Sequence, residues 1–584
     1  VGTYSSTMVV NASHNLISSL ASPLANDATR FSYSSAIKVL DFSYNNISYI
    51  QKDYFTPIQD CLAQLIFQHN SIRNVSRDML PHLPQLQYLD LSFNNQLDIE
   101  FDALRGLPFL QTFLINGCGV RDIPTGLFPS LNRLETLDFS NNGLTGLSDS
   151  LITAISPILL DASYNSLSRV PLTSFSQSHA GNVQQLILRG NKITRLPSAE
   201  SFSRFSGLRY LDLTDNKLTE LGSSLSGLPC LTKLSVSYNR IRFDPNDWRG
   251  QERTLRHLDL SNTSLSYVPA LPLPSLLTLK LSNNGIAYIP PDLQTNLTNL
   301  KMLDVSYNIM PELTPFSQLV HLIAAFNPIN SVSNSTFTNF VNLADLDIRQ
   351  LPLTTFDEDA LGQLPLMTLA VSNYKRVERI NIPLLIRENQ ALRHLIYEVA
   401  GAPSIGNDMQ GLLPEKIQHI TLQGRDLKSV PASLLQGLER PSVLLTLQNT
   451  SVEALESSVF RSPHLRNVSL ELLSDSLKMV GNPSNVARPN MPHSVFLIDM
   501  RLQSSELVCD CKLGWIETWA RKKRQQHGSY IYSEDLRSSR CKNKQGKPLI
   551  DILKSELECG WSRGVNRSGP LTLISTFVLI MYLL

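Results

Sequence analysis

The sequence predicts an α/β repeat fold. About twenty short units form a solenoid, their strands aligned as a parallel β-sheet on a concave face, closed by a disulfide-bonded C-terminal cap. Three observations predict it. A short apolar pattern returns with a step of mostly 23 to 26 residues; four cysteines cluster after the last repeat; and the 584 residues are 42% hydrophobic and 17% charged, a composition that buries a core. A chain of this length is several globular domains or one long array, and the recurrence selects the array.

The recurring unit is seen in LDFSYNNISYI at Leu40–Ile50, LDFSNNGLTGL at Leu137–Leu147, LDLTDNKLTEL at Leu211–Leu221 and LKLSNNGIAYI at Leu279–Ile289. Each fits L-x-L-x-x-N-x-L, the leucine-rich repeat signature. Its asparagine slot holds Asn15, Asn45, Asn70, Asn94, Cys118, Asn142, Asn165, Asn191, Asn216, Asn239, Thr263, Asn284, Asn308 and Asn327, then degenerates to Leu351, Tyr374, Arg425 and Thr450. The two-residue period of a strand points the first and third positions inward and their neighbours outward. After the strand the chain turns and leaves backbone groups facing the interior, which the Asn side chain satisfies as donor and acceptor. Leu351 and Arg425 cannot reproduce those bonds, so irregularity is expected there. The 51-residue step from Tyr374 to Arg425 leaves room for a poorly marked repeat.

The expected organisation is a solenoid over 1–506, a cap over 507–561 and a terminal signal over 562–584. The first unit (Val10, Ala12, Asn15, Ile17) starts almost at residue 1 with no cap before it. An open terminal repeat exposes its core, so the solenoid is expected to be N-terminally incomplete.

In LVCDCKLGWIETWA, Cys509 and Cys511 stand one residue apart before Trp515 and Trp519; Cys541 and Cys559 follow. Four cysteines allow three disulfide connectivities, and four thiolates also suit a zinc ion, though zinc sites usually carry two C-x₂₋₄-C pairs. The order C-x-C, W, W, C, C resembles the cysteine-rich cap of extracellular leucine-rich repeat proteins. That resemblance implies Cys509–Cys541 and Cys511–Cys559. Cys61, Cys118 and Cys230 are expected to be buried thiols acting as small hydrophobes.

N-x-S/T sequons at Asn11, Asn46, Asn74, Asn262, Asn296, Asn334, Asn449 and Asn467 agree with a secretory route. A further sequon, Asn566, lies in the terminal signal. The chain ends with Leu571–Leu584, uncharged and only about 21 Å long as a helix, against a hydrocarbon core of about 30 Å. Small residues Gly560, Ser562 and Gly564, a polar spacer and this tail form a GPI-attachment signal with Ser562 as the attachment residue. The alternative, a truncated membrane helix, lacks basic stop-transfer residues after it.

No G-x-S-x-G, H-E-x-x-H or phosphate-binding glycine loop occurs; neither an enzyme, a cofactor nor a metal site is expected. Lys and Arg number 51 against 50 Asp and Glu, giving no global drive towards nucleic acid. Aspartates follow the first leucine of many units: Asp41, Asp90, Asp138, Asp161, Asp212, Asp259, Asp304 and Asp347. They are a candidate concave binding strip or a solvated strand surface, with Ser or Thr two residues later in most. RKKRQQH at Arg521–His527 is either an anion site or a solvated helix face. Aromatics before the slot (Tyr44, Phe93, Tyr164, Tyr238, Tyr307, Phe326) are either an interface ladder or packing between repeats.

Repeats, cap and tail together resemble the chaoptin-like cell-surface adhesion proteins. The resemblance implies a glycoprotein on the extracellular face of the plasma membrane, GPI-anchored, that mediates cell adhesion by binding other cell-surface or extracellular proteins, including copies of itself. The competing class is the ligand-binding ectodomain of a Toll-like or other leucine-rich repeat receptor. Adhesion predicts bead or cell aggregation by the protein alone, whereas a receptor is expected to need a separate ligand.

Overall fold

The computed structural model describes residues 8–555 except 22–36, 53, 81, 129–130, 150, 153–154, 156, 176–179, 378–379, 486–493, 528–535 and 537. Two compact units are present. The first comprises the residues up to Asn284 with Pro290–Asn299, the second Gly285–Ile289 and Leu300 onward.

In the first unit the described residues form twelve parallel strands, from Met8–Asn11 and Ile37–Asp41 to Thr278–Lys280, each pairing with the strand of the next repeat. Most are three residues long, with the middle residue inward: Leu65, Leu89, Leu137, Leu211 and Leu279 are fully buried. The return segments are 3-10 and short α turns such as Thr56–Ile58, Ala199–Phe202 and Pro245–Trp248.

What ends each strand is a residue in the left-handed region just before the slot: Tyr44, Phe93, Asn141, Tyr164 and Tyr238 all have φ between 52° and 58°. The slot asparagine then ties two repeats together. Asn94 Nδ2 donates to Leu91 O of its own turn at 2.7 Å and to Phe67 O of the preceding repeat at 3.0 Å, while its Oδ1 accepts from Ile72 N at 2.9 Å. Asn70, Asn165, Asn191 and Asn216 repeat the pattern. Cys118 retains only the donor half, Sγ to Leu91 O at 3.2 Å. The acceptor is replaced by its own carbonyl, which takes the Leu97 N–H at 3.1 Å, and Gln96 adopts φ 62° to allow it. Thr263 Oγ1 reaches Leu260 O of its own turn at 2.7 Å.

The expectation of three buried thiols is corrected. Cys118 is buried, but Cys61 is half-exposed and Cys230 exposed. Their position lies where the return segment surfaces before the strand, and the inward residues there are the following Leu62 and Leu231.

In the second unit nine described parallel strands run from Met302–Asp304 to Phe496–Gln503. The poorly marked repeat is the strand His394–Glu398, followed by Ala400, whose N–H donates to Asn373 Oδ1 at 2.8 Å. Tyr374 is buried, and its hydroxyl donates to Ile348 O at 2.8 Å, the carbonyl that an asparagine in this slot would bind. Irregularity appears beside Arg425. The register shifts between Gln423 and Gly424, and Gly424 sits at φ 121° with Val399 O only 1.9 Å from where a Cβ would be.

The last strand is sealed by the cap. Trp515 Nε1 donates to Val480 O at 3.1 Å, Trp519 Nε1 to Leu497 O at 3.0 Å and Ser539 Oγ to Leu502 O at 2.7 Å. Edge carbonyls that would otherwise be open are thereby satisfied. Cys509 and Cys541 form a disulfide, which excludes a four-thiolate zinc site. Cys511 is also disulfide-bonded. Cys559, expected as its partner, lies outside the described residues, as do Ser562, Asn566 and the apolar tail. Among the described residues no helix is long and apolar enough to cross a membrane.

Candidate functional site

Strand alternation gives each unit rows of outward side chains. In the first unit one row runs Asp41, Ile66, Asp90, Leu114, Asp138, Asp161, Ile187, Asp212, Ser235, Asp259 and Lys280. The aspartates are not simply solvated. Asp41 Oδ1 accepts from Ser43 N at 2.9 Å and Ser43 Oγ at 2.6 Å, and Asp138, Asp161 and Asp304 hold their turns identically. Asp90, Asp212 and Asp259 accept the same backbone N–H. Each of these is an Asx-type turn, which explains the Ser or Thr two residues on. One oxygen is thus committed to the fold. Burial raises the Asp161 carboxyl above its usual range, opposed by the Ser163 bonds and reinforced by Asp138 and Asp212.

Between the strands at Gln185–Ile187 and Thr278–Lys280 this face forms a groove of about 520 Å³. Its distinguishing residues are Arg189, Tyr210, Lys233, His257 and Lys280 around the buried hydroxyls of Thr214, Ser235 and Ser237. Thr214 Oγ1 lies 2.7 Å from Ser235 Oγ and 3.1 Å from Ser237 Oγ. Tyr210 donates to Asp212 Oδ2 at 2.9 Å, and Lys233 Nζ stands 4.1 Å over its ring. Burial first and Asp212 second push the Tyr210 phenol well up; burial, Lys233 and Arg256 push the His257 imidazole down.

The second unit carries a different face. Asp347 grips Arg349 through Nε at 2.9 Å and Nη2 at 2.7 Å, and Arg349 Nη1 donates to Gln423 Oε1 at 2.6 Å. His394 and His419 stack with centroids 3.9 Å apart and bond to Thr421 and Thr446; Thr446 bonds onward to Glu471, which pairs with Arg501. Burial, then the neighbouring His419, lowers the His394 pKa to about 4.

Reading the sequence column by column isolated the aspartates and missed these cations, hydroxyls and histidines. Their signal was their place at the outward strand positions, irrespective of residue type. The aromatic column does stack: His14, Tyr44, His69 and Phe93 follow one another at 4.3 to 4.4 Å, and Tyr307 meets Phe326 at 4.1 Å. His14 and His69 belong to the same column, their signal being an imidazole at the position before the slot. These stacked rings pack between neighbouring repeats, while Tyr44, Phe93, Tyr307 and Phe326 each keep part of their surface exposed.

Of the sequon asparagines, Asn46, Asn74, Asn334 and Asn449 are exposed, and Asn262, Asn296 and Asn467 half-buried. Asn11 occupies the aspartate column: its Oδ1 accepts from Ser13, and its Nδ2 donates to Asp41 at 3.2 Å.

A Leucine rich repeat family model matches residues 61–120 and 181–241, and a second residues 133–154. The chain is 33% identical over 644 residues to Chaoptin of Drosophila melanogaster, covering 100% of this chain and 49% of that protein. It is 35% identical over 533 residues to Chaoptin of Tribolium castaneum, covering 88% and 68%. It therefore spans about half the length of the first relative. Among solved structures, the mouse RP105/MD-1 complex matches with a TM-score of 0.54 at 18% identity, over 94% of this chain and 98% of that one, a likeness of fold alone.

Proposed function

The chain belongs to the chaoptin family of leucine-rich repeat proteins, and on that premise we propose that it is a cell-surface adhesion protein that binds other extracellular proteins, copies of itself included. The observation that carries this reading is the pair of outward faces. Polar, cationic and acidic side chains recur at the outward positions of the described strands, twelve in one unit and nine in the other. Such a surface offers many modest contacts to a protein partner rather than one enclosed site for a reacting molecule. The cap disulfide Cys509–Cys541 supports an oxidising, extracellular setting.

Attachment belongs to the same proposal: Ser562 takes a GPI anchor and the apolar tail is removed. Glycans on the exposed sequons complete the reading.

Beads coated with the chain, secreted behind a borrowed signal peptide, test the adhesion. Clustering of coated beads alone supports self-recognition. Dispersed beads that nevertheless bind cells displaying a different protein overturn self-recognition and leave heterophilic adhesion. Treating displaying cells with a phosphatidylinositol-specific phospholipase C tests the anchor. Release into the medium supports it; retention in cells where a known GPI protein is released overturns it.

A further inference from the structure

We propose that the groove between the cap helix and the last strand is a binding site for a sulfated polysaccharide. The helix Gly514–His527 and the strand Phe496–Gln503 enclose a groove of about 430 Å³, lined by Phe496, Leu497, Thr518, Trp519, Lys522 and Lys523. The helical spacing brings Thr518 above Lys522 and Trp519 above Lys523, so the two ammonium groups share the wall that carries the indole.

The groove's two kinds of surface are both uncommitted. Phe496, which lines the groove, is 58% exposed although it opens a strand. A phenyl ring left open in a groove wall is an observation in need of a partner. Trp519, by contrast, spends its indole N–H on Leu497 O and contributes only its ring. Lys522 and Lys523 have no ion-pair partner among the described residues, whereas their neighbour Arg521 lies 3.9 Å from Glu517, and Lys478 and Lys542 are each paired.

Charge is local here. The whole chain is nearly balanced, at 51 basic against 50 acidic residues, but residues 507–561 hold eleven Lys and Arg against seven Asp and Glu. The run Arg521–Arg524 is therefore the basic focus of a chain that lacks one overall. An anion is the complementary ligand, and the open phenyl ring specifies which kind. A sugar ring presents a C–H face that lies on an aromatic ring and carries its sulfates at the periphery, where Lys522 and Lys523 stand. A lipid bilayer would need its apolar anchor at a protruding tip, while Phe496 forms a groove wall beside Leu497 and Trp519. The site is independent of the adhesive faces, so it stands or falls apart from the adhesion reading.

The test is binding of the whole secreted chain to immobilised heparin, with increasing NaCl. Salt-sensitive binding is expected, and the double substitution Lys522→Gln/Lys523→Gln weakens it about tenfold. Phe496→Ser, which leaves charge unchanged, weakens it about threefold. Lys512→Gln/Lys544→Gln removes the same charge from cap positions outside the groove and changes binding by less than about twofold. Equal loss in the two double variants, equal binding to chemically desulfated heparin, or binding to phosphatidylserine vesicles with none to heparin each overturns the proposal.

Discussion

Replacing Asn94 by alanine isolates what the slot asparagine contributes. Asn94 is fully buried, and its amide makes three strong contacts: to Leu91 O, to Phe67 O and from Ile72 N. The three losses are unequal. Phe67 O also accepts from Asn70 Nδ2 at 3.0 Å, and Leu91 O also accepts from Cys118 Sγ at 3.2 Å, so each carbonyl retains a partner. The Ile72 N–H is left with none. A stranded buried donor costs ~1–3 kcal/mol, and each lost bond to a still-satisfied carbonyl about 0.5–1 kcal/mol. The expected destabilisation is about 3 kcal/mol. In a solenoid that energy is local, because each repeat contacts only its neighbours. Hydrogen exchange followed by mass spectrometry should therefore show protection falling about a hundredfold in peptides covering 60–120, with little change over 257–280. Asn15→Ala is the internal control. Asn15 is exposed and donates only to Ala12 and Ser13 of its own turn, so its loss should stay below about 0.5 kcal/mol. Equal effects at the two positions, or a loss spread evenly over the chain, would refute the claim that inter-repeat bonding by the buried amide holds the turns.

Tyr374→Phe should destabilise by about 1–2 kcal/mol, since it strands the buried Ile348 carbonyl; exchange in peptides spanning residues 345–375 would report it, and an unchanged rate there would count against the substitution of phenol for amide. His394 titrates below its ordinary value of 6.5, at about 4 in the folded chain, through burial and the stacked His419, with Asp345 partly offsetting. The unfolded chain therefore binds the proton first, and stability is full above pH 6.5 and lost as pH falls from 6.5 to about 4; Thr421 and Thr446 face the pair, as does Glu471 beyond them. His394→Gln should flatten that stretch of a thermal-melt pH profile, and an unchanged slope would remove the histidine from the explanation. Cys541→Ser should cost about 2–4 kcal/mol by opening the Cys509–Cys541 loop, seen as increased proteolysis of the cap ahead of the repeats.

The repeat was legible because its physics is periodic: an inward Leu, an outward Asp and a slot Asn recur at fixed offsets, so one unit read correctly reads most of them. The aspartates are legible as a column, and part of their role is local to the turn. Their Oδ1 bonds to Ser43, Ser140 or Ser306 are made within the turn and are implied by the Asp-x-Ser spacing itself. The groove at Arg189, Lys233 and Lys280 was not legible, because its members come from three different rows of strands that only the register aligns. Cys230 was misjudged by one residue of phase: the neighbouring Leu231 is the inward one. The histidine pair shows the same limit, since His394 and His419 stand 25 positions apart in the chain and only strand pairing stacks them.

The degenerate slots of the second unit lose their asparagines without losing the ladder, and strand length explains how. Strands there grow from three residues at Asp345–Asp347 to five at Thr368–Ser372 and His394–Glu398, six at His419–Gly424, nine at Ser442–Thr450 and seven at Asn467–Leu473. Among the described residues none but glycine takes a left-handed turn between Gln350 and Asn449. Without that turn the backbone groups an asparagine would have capped are paired directly to the next strand, as Tyr397 to Leu422, Leu422 to Leu447 and Leu447 to Leu472. The exchange has a consequence for recognition. Each extra pair of strand residues adds another outward position, and Glu398, Gln423 and Gln448 fill that added row in register. Where the first unit spends its outward carboxylates on holding turns, the second needs fewer such turns, and its polar side chains bond laterally across strands instead, through Arg349, Gln423 and Gln448 and through Thr446, Glu471 and Arg501. A partner meeting this face therefore contacts a pre-ordered polar network whose side-chain entropy is already lost, which lowers the cost of binding there relative to a surface of free side chains.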